Sequence, residues 1–210
     1  MTNASSARNQ SGTAFQTRYI AFTGVFGAIA AVLMFLEIPL PFAPSFYHLD
    51  FSEVPVLIGT FAMGPVSGLL IELIKILVHL VVKGTHTAGV GEAASFMIGA
   101  ALLIPAGIIY RRHKTRKTAL IGMACGTLTM VVAGCFINAF ILLPTYAKAF
   151  GMPMDALIGM GTAVNKNVHN LQTFAIFCVA PFNLFKGVVV SAVTYVLYKH
   201  VSVLIHKAGQ

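Results

Sequence analysis

The sequence predicts an all-α integral membrane protein with six transmembrane helices and both termini in the cytoplasm. Three observations predict it. First, 57% of the 210 residues are hydrophobic and only 10% are charged, with a mean hydropathy of +0.84. A soluble domain carries about 25% charged residues, and disorder needs few apolar residues and many charges. Second, the apolar residues fall into runs of bilayer-spanning length. Third, the basic residues collect on one side of those runs.

The runs justify the elements in order. Residues 1–17 are polar and rich in Ser, Asn and Thr, which predicts a flexible cytoplasmic N-terminus. The run from Arg18 to Glu37 is too long for most signal-peptide apolar regions and reads as a retained first helix. Further runs cover 51–63, 65–82, 92–110, 118–143 and 172–198. A spanning helix takes about 20 residues, so the second span is short. Pro181 sets the start of the sixth helix or a kink in it. The organisation is one six-helix domain over 18–199 with a cytoplasmic tail at 200–210, and no room is left for a soluble ATPase domain.

An even number of spans puts both termini on one side. That side holds nine basic residues: Arg8, Arg18, Arg111, Arg112, Lys114, Arg116, Lys117, Lys199 and Lys207. The other holds Lys83, Lys148 and Lys166. Nine against three makes the first side cytoplasmic. The net charge of +8 is therefore mostly topology, and no nucleic-acid partner is expected. The remaining two, Lys75 and Lys186, lie inside spans, where ionisable groups are costly and mark function.

At about 1.5 Å per helical residue, Lys186 lies roughly 20 Å from the cytoplasmic edge at Lys199. Asn183 is one turn further out on the same face. By the same measure, Glu92 lies roughly 28 Å out from Arg111 and Asn138 roughly 31 Å out from Lys117. Convergent polar groups in an apolar bundle describe a small-molecule site. The bland alternatives are a helix-dipole acid for Glu92, a snorkelling Lys186 and interhelical glue for Asn138.

A second polar stripe, Gly68, Glu72, Lys75 and His79, runs along the third span. Glu72 and Lys75 read as an i,i+3 ion pair and His79 as a satisfied core histidine. The rival reading is a stand-alone, proton-coupled carrier built on Glu72, Lys75 and His79. The loop IPLPFAPSFYHLD is stiffened by Pro39, Pro41 and Pro44. Its Phe42, Phe46 and Tyr47 make it a lid for a flat ligand, or an aromatic interface anchor. Asp50 reads as an N-cap, and the Gly/Thr-rich stretch KGTHTAGVGE as a loop with backbone donors to offer. In the first span, Gly24/Ala28 and Gly27/Ala31 are small-xxx-small pairs for internal packing or for docking a partner helix. There is no P-loop, no Cys/His metal cluster and no nucleophile motif. The three cysteines lie in apolar runs, and the chain is not expected to be an enzyme.

The stretches LDFSEVPVLIGTFAMGPVSGLLIELIK, GVGEAASFMIG, LLIPAGIIYRR and APFNLFKG resemble the riboflavin-specific S component of energy-coupling-factor vitamin transporters, from about residue 18 to 199. The resemblance implies the S-component fold in a bacterial cell membrane. It implies riboflavin as the transported ligand, with no cofactor. Lys186 and Asn183 in PFNLFK, Asn138 and Glu92 would be polar contacts, while Phe42, Leu49 and the stretch Thr85 to Gly89, with Thr87, would shape the pocket. It also implies a membrane T component docking on the first helix at Gly24, Gly27, Ala28 and Ala31, and two cytoplasmic ATPases. Ile76 and Ser95 depart from the asparagines that relatives often carry there. Another vitamin of the same transporter class is the alternative ligand.

Overall fold

The computed structural model describes residues 3–208 apart from Ser45, His86 and Thr87, and side chains within 17–198. Helix α1 covers Asn3–Met34 and so takes in most of the polar leader. Strands β1 (Ile38–Pro39) and β2 (His48–Leu49) pair antiparallel. Helices α2 (Glu53–Met63), α3 (Pro65–Lys83), α4 (Val90–Arg112) and α5 (Arg116–Ile137) follow. Then come α6 (Leu143–Ala149), α7 (Met154–Val164), α8 (Leu171–Phe174) and α9 (Ala180–Ala208). π-helical turns at Asn138–Leu142 and Ala175–Val179 join α5 to α6 and α8 to α9.

Five helical stretches among the described residues are long and apolar enough to cross a membrane: Thr17–Met34, Pro65–Lys83, Val90–Arg112, Arg116–Ala149 and Leu171–Tyr198. The second predicted run differs. It folds as α2, whose 11 residues reach only about 16 Å. Its residues are apolar nearly all round, and every one from Glu53 to Phe61 is buried. A helix apolar on all faces belongs inside a bundle. Gly64, at φ +100°, turns the chain, and Pro65 opens α3 where its missing N–H has no partner to lose. Glu53 at the start of α2 meets Lys75 in the middle of α3, Nζ to Oε1 2.8 Å. Helix α2 therefore fills only the half of the bundle near Arg111, and the half beneath the 37–49 loop is left for a cavity.

The packing that fixes this frame is close. In α5, a Cβ at Gly122 would stand 2.8 Å from the Ala106 carbonyl oxygen, and Gly126 abuts the Leu102 carbonyl one turn on. This small-xxx-small pair seats α5 on the α4 backbone. Thr115 and Thr118 form a reciprocal capping box at the start of α5. Leu57, Phe61, Leu102, Tyr110, Met123 and Tyr198 make the core around α2, with Tyr110 and Tyr198 sharing a 2.6 Å hydroxyl hydrogen bond.

Both π-turns precede prolines. Pro144 and Pro181 lack the N–H that would bond the carbonyl four residues back, and the widened turn before each absorbs the break. The predicted sixth helix thus begins at Leu171 and continues through Pro181 to the end of α9. The short helix α7, between the fifth and sixth long helices, is absent from the sequence reading. Its mixed exposure and mere 11 residues fall below the spanning length that reading relied on.

Candidate functional site

A cavity of about 220 Å³ lies between the 37–49 loop and the start of α2. Its walls come from α4 (Gly91, Ser95), α5 and its π-turn (Met130, Asn138) and α9 (Phe182, Asn183, Lys186). Tyr146 of α6 and Phe46 and Tyr47 of the loop complete it.

The loop is held at its base. Ile38 pairs with Leu49 and Pro39 with His48. Glu37 accepts from His48 Nδ1 at 2.9 Å and from Lys83 Nζ, tying the end of α1 to the end of α3. Burial opposes the charged form of Glu37, but the hydrogen bonds and charges of Lys83 and His48 outweigh it and lower its pKa. From this base, Phe46 stacks over Phe174 at 6.3 Å and meets Tyr146 edge-on, and Tyr47 stacks on Phe182 at 4.9 Å. The Tyr47 hydroxyl donates to Asn138 Oδ1. Burial first, then the neighbouring Tyr146 and two thiols, push the Tyr47 pKa well up, so the phenol stays neutral.

Asn138 and Asn183 are placed by the helices around the two π-turns. Asn138 Nδ2 donates to the Gly134 carbonyl at 2.8 Å and Asn183 Nδ2 to Val179 at 3.0 Å. Gly134 links them. A Cβ there would stand 2.7 Å from Asn183 Nδ2, so the bare Cα admits the second amide while the carbonyl anchors the first. Each amide retains groups for a ligand.

The cavity floor is ionic. Lys186 Nζ lies 2.8 Å from Asp50 Oδ2. Asp50 Oδ1 accepts from the Ser52 backbone N–H at 2.9 Å and from the Ser52 hydroxyl. Burial disfavours the Asp50 carboxylate, yet Lys186, Lys75 and these hydrogen bonds hold its pKa far below the usual carboxylate range. Beside this pair, Lys75 Nζ sits 2.8 Å from Glu53 Oε1 and 2.7 Å from Glu72 Oε2.

Of the residues expected from the sequence, Asn138, Asn183 and Lys186 meet on this cavity. Leu49 is buried in β2 behind it. Phe42 turns outward and packs edge-on to Phe185 at 5.2 Å. Glu92 accepts from Thr85 Oγ1 at 3.0 Å, and Gly89 donates its N–H to the same oxygen. The loop before α4 thus folds on itself, and Gly91 and Ser95 face the cavity instead. Thr87 lies outside the described residues. Gly24 and Ala28 face outward, whereas Gly27 and Ala31 are buried, Gly27 against Ile74 of α3. His79 stacks on Phe35 at 5.3 Å, and both its nitrogens lack hydrogen-bond partners, so it is not the satisfied core histidine expected.

Asp50 corrects the sequence reading. Ser52, not Asp50, is the N-cap residue of α2, and the Asp50 carboxylate is the counter-ion of Lys186. Its signal was available: with six acidic residues in 210, an acid set among apolar neighbours is expensive without a partner. Tyr146 and Phe182 gave no such signal, because aromatic residues in apolar runs are indistinguishable from packing.

An apolar helical bundle enclosing an aromatic-walled, polar-floored cavity defines a membrane protein that holds a small ligand. Comparison with known proteins narrows the class. The family described as ECF transporter, substrate-specific component, matches residues 18–198, and the chain belongs to it. It is a multi-pass membrane transport protein, not an enzyme. The riboflavin transporter RibU of Staphylococcus aureus (strain TCH60) is 33% identical over 89% of this chain and 92% of its own. The riboflavin transporter FmnP of Bacillus subtilis (strain 168) is 26% identical over 87% and 91%. A solved structure of the S component of a bacterial ECF transporter matches with TM-score 0.70 and 32% identity, covering 90% of this chain and 98% of the other.

Proposed function

We propose that this chain captures riboflavin in the cavity beneath the 37–49 loop and hands it inward as the S component of an ATP-driven transporter. The observation that carries the reading is the convergence of Asn138, Asn183 and Lys186 on an aromatic-walled cavity. A flavin needs flat apolar walls plus a few placed donors and acceptors for its polar ring edge and ribityl hydroxyls. Phe46, Tyr47, Tyr146 and Phe182 suit the ring, and the two amides and the ammonium suit the polar edge. The names of the relatives support the same ligand.

The basic excess near Arg111 supports a cytoplasmic location for that end and for both termini, with the cavity facing outward. A T component would dock on the outward face of α1 at Gly24 and Ala28, and two ATPase subunits would supply the energy. Protein purified in detergent should be yellow, and the ligand-free form should quench added riboflavin fluorescence. A colourless protein that leaves riboflavin fluorescence unchanged overturns the reading.

A further inference from the structure

The buried ionic groups beside the cavity do not balance. Asp50 and Lys186 form a one-to-one pair. Lys75 is shared by two carboxyls, Glu53 and Glu72. Glu72 is 0% exposed and Lys75 2%. Glu53 Oε2 and both Glu72 oxygens are buried with no hydrogen-bond partner, Glu72 Oε2 meeting Lys75 only as an ion pair.

No further cation comes within ion-pair distance of the triad among the described residues. After α1, Glu37 is occupied by Lys83 and His48. On the α4 side, the bare Cα of Gly99 faces Glu72 Oε1 at a spacing a Cβ would violate, and Glu92 is taken by Thr85. On α9, Lys186 is committed to Asp50. Within α3, His79 stacks on Phe35, and Lys83 lies two turns beyond Lys75. With every group ionised, the triad would hold one uncompensated negative charge in a buried site, which is strongly destabilising. A metal ion would need several oxygen ligands, and Glu53 Oε1 and Glu72 Oε2 are already held against the Lys75 ammonium. A proton needs one.

We infer that the Glu53–Lys75–Glu72 triad is a proton-binding site, with Glu72 held as a neutral carboxylic acid and Glu53 as the carboxylate hydrogen-bonded to Lys75. Glu72 is the more deeply buried, and Lys75 donates to Glu53. The inference stands whichever ligand the cavity takes.

The test uses the full chain in detergent without ligand. Infrared difference spectra should show a protonated-carboxyl band, lost in Glu72→Gln. It should be lost in Glu53→Gln as well, because Glu72 then has Lys75 to itself and ionises. The proton also has a stability signature. Folded Glu72 keeps a proton that the unfolded chain releases above about pH 4.3. Wild-type stability should therefore fall with rising pH above that value, by up to tenfold in the unfolding equilibrium per pH unit. Glu72→Gln, which mimics the neutral acid, should lose this slope. A wild type with neither band nor slope overturns the proposal, as does a band that survives in Glu53→Gln. Failure to bind riboflavin would leave both readouts unchanged and overturn only the ligand assignment.

Discussion

Lys186 on α9 and Asp50 before α2 stand 136 residues apart in the chain and 2.8 Å apart at the cavity floor. The pair means that the ammonium lining the cavity is already neutralised by Asp50, and that either partner alone would be a buried, unpaired charge.

Replacing Lys186 should therefore do two separable things. Lys186→Ala should weaken riboflavin binding by about 1–3 kcal/mol, the cost of a buried partner left unmade. It should also destabilise the fold by about 3–5 kcal/mol, because Asp50 loses its counter-ion. Adding Asp50→Asn should restore much of the stability and none of the affinity. Fluorescence-quenching titrations and thermal unfolding of the single and double variants check both effects.

Acidification tests the same pair from the other side. The Asp50 pKa is depressed in the folded chain, so its stabilising contribution is complete above the unfolded value of about 3.9 and is lost as pH falls below it. Glu37, also depressed, acts in the same direction. Thermal stability should drop as pH falls through the ordinary carboxylate range. Asp50→Asn should start lower and show a shallower drop.

Gly134 should be intolerant of even a methyl group. Gly134→Ala sets a Cβ against Asn183, and relieving that crowding costs about 1–3 kcal/mol while turning the amide from its position. Riboflavin affinity should fall although position 134 lacks a side chain. Gly159→Ala in α7 meets nothing within 4 Å and should be neutral or stabilising by up to about 1 kcal/mol. Calorimetric binding of the two variants makes the comparison.

The two small-residue pairs of α1 should separate packing from docking. Gly27→Leu drives a side chain into Ile74 and should lower thermal stability. Gly24→Leu projects from a position with nothing within 4 Å. It should leave folding and riboflavin retention intact while abolishing ATP-driven uptake in proteoliposomes containing the T component and ATPases. Normal uptake by Gly24→Leu would sink the docking assignment.

The sequence by itself determined the membrane class, the long helices and the cluster of Asn138, Asn183 and Lys186. Each follows from periodicity, length and the high cost of polar groups in hydrocarbon, all local properties of the chain. It also paired Glu72 with Lys75, because i,i+3 neighbours on a helix must meet. Tertiary structure decided the rest. Glu53 as the third member of that triad and Asp50 as the counter-ion of Lys186 are contacts between segments far apart in the chain, which no period encodes. That Glu92 turns to Thr85 and Phe42 to Phe185, leaving Ser95 and Tyr47 at the cavity, depends on how the loops fold back. The cavity itself exists because α2 stops halfway. Its sequence shows a short apolar run, but only the surrounding helices, which bury it on every face, make that shortness a space for a ligand.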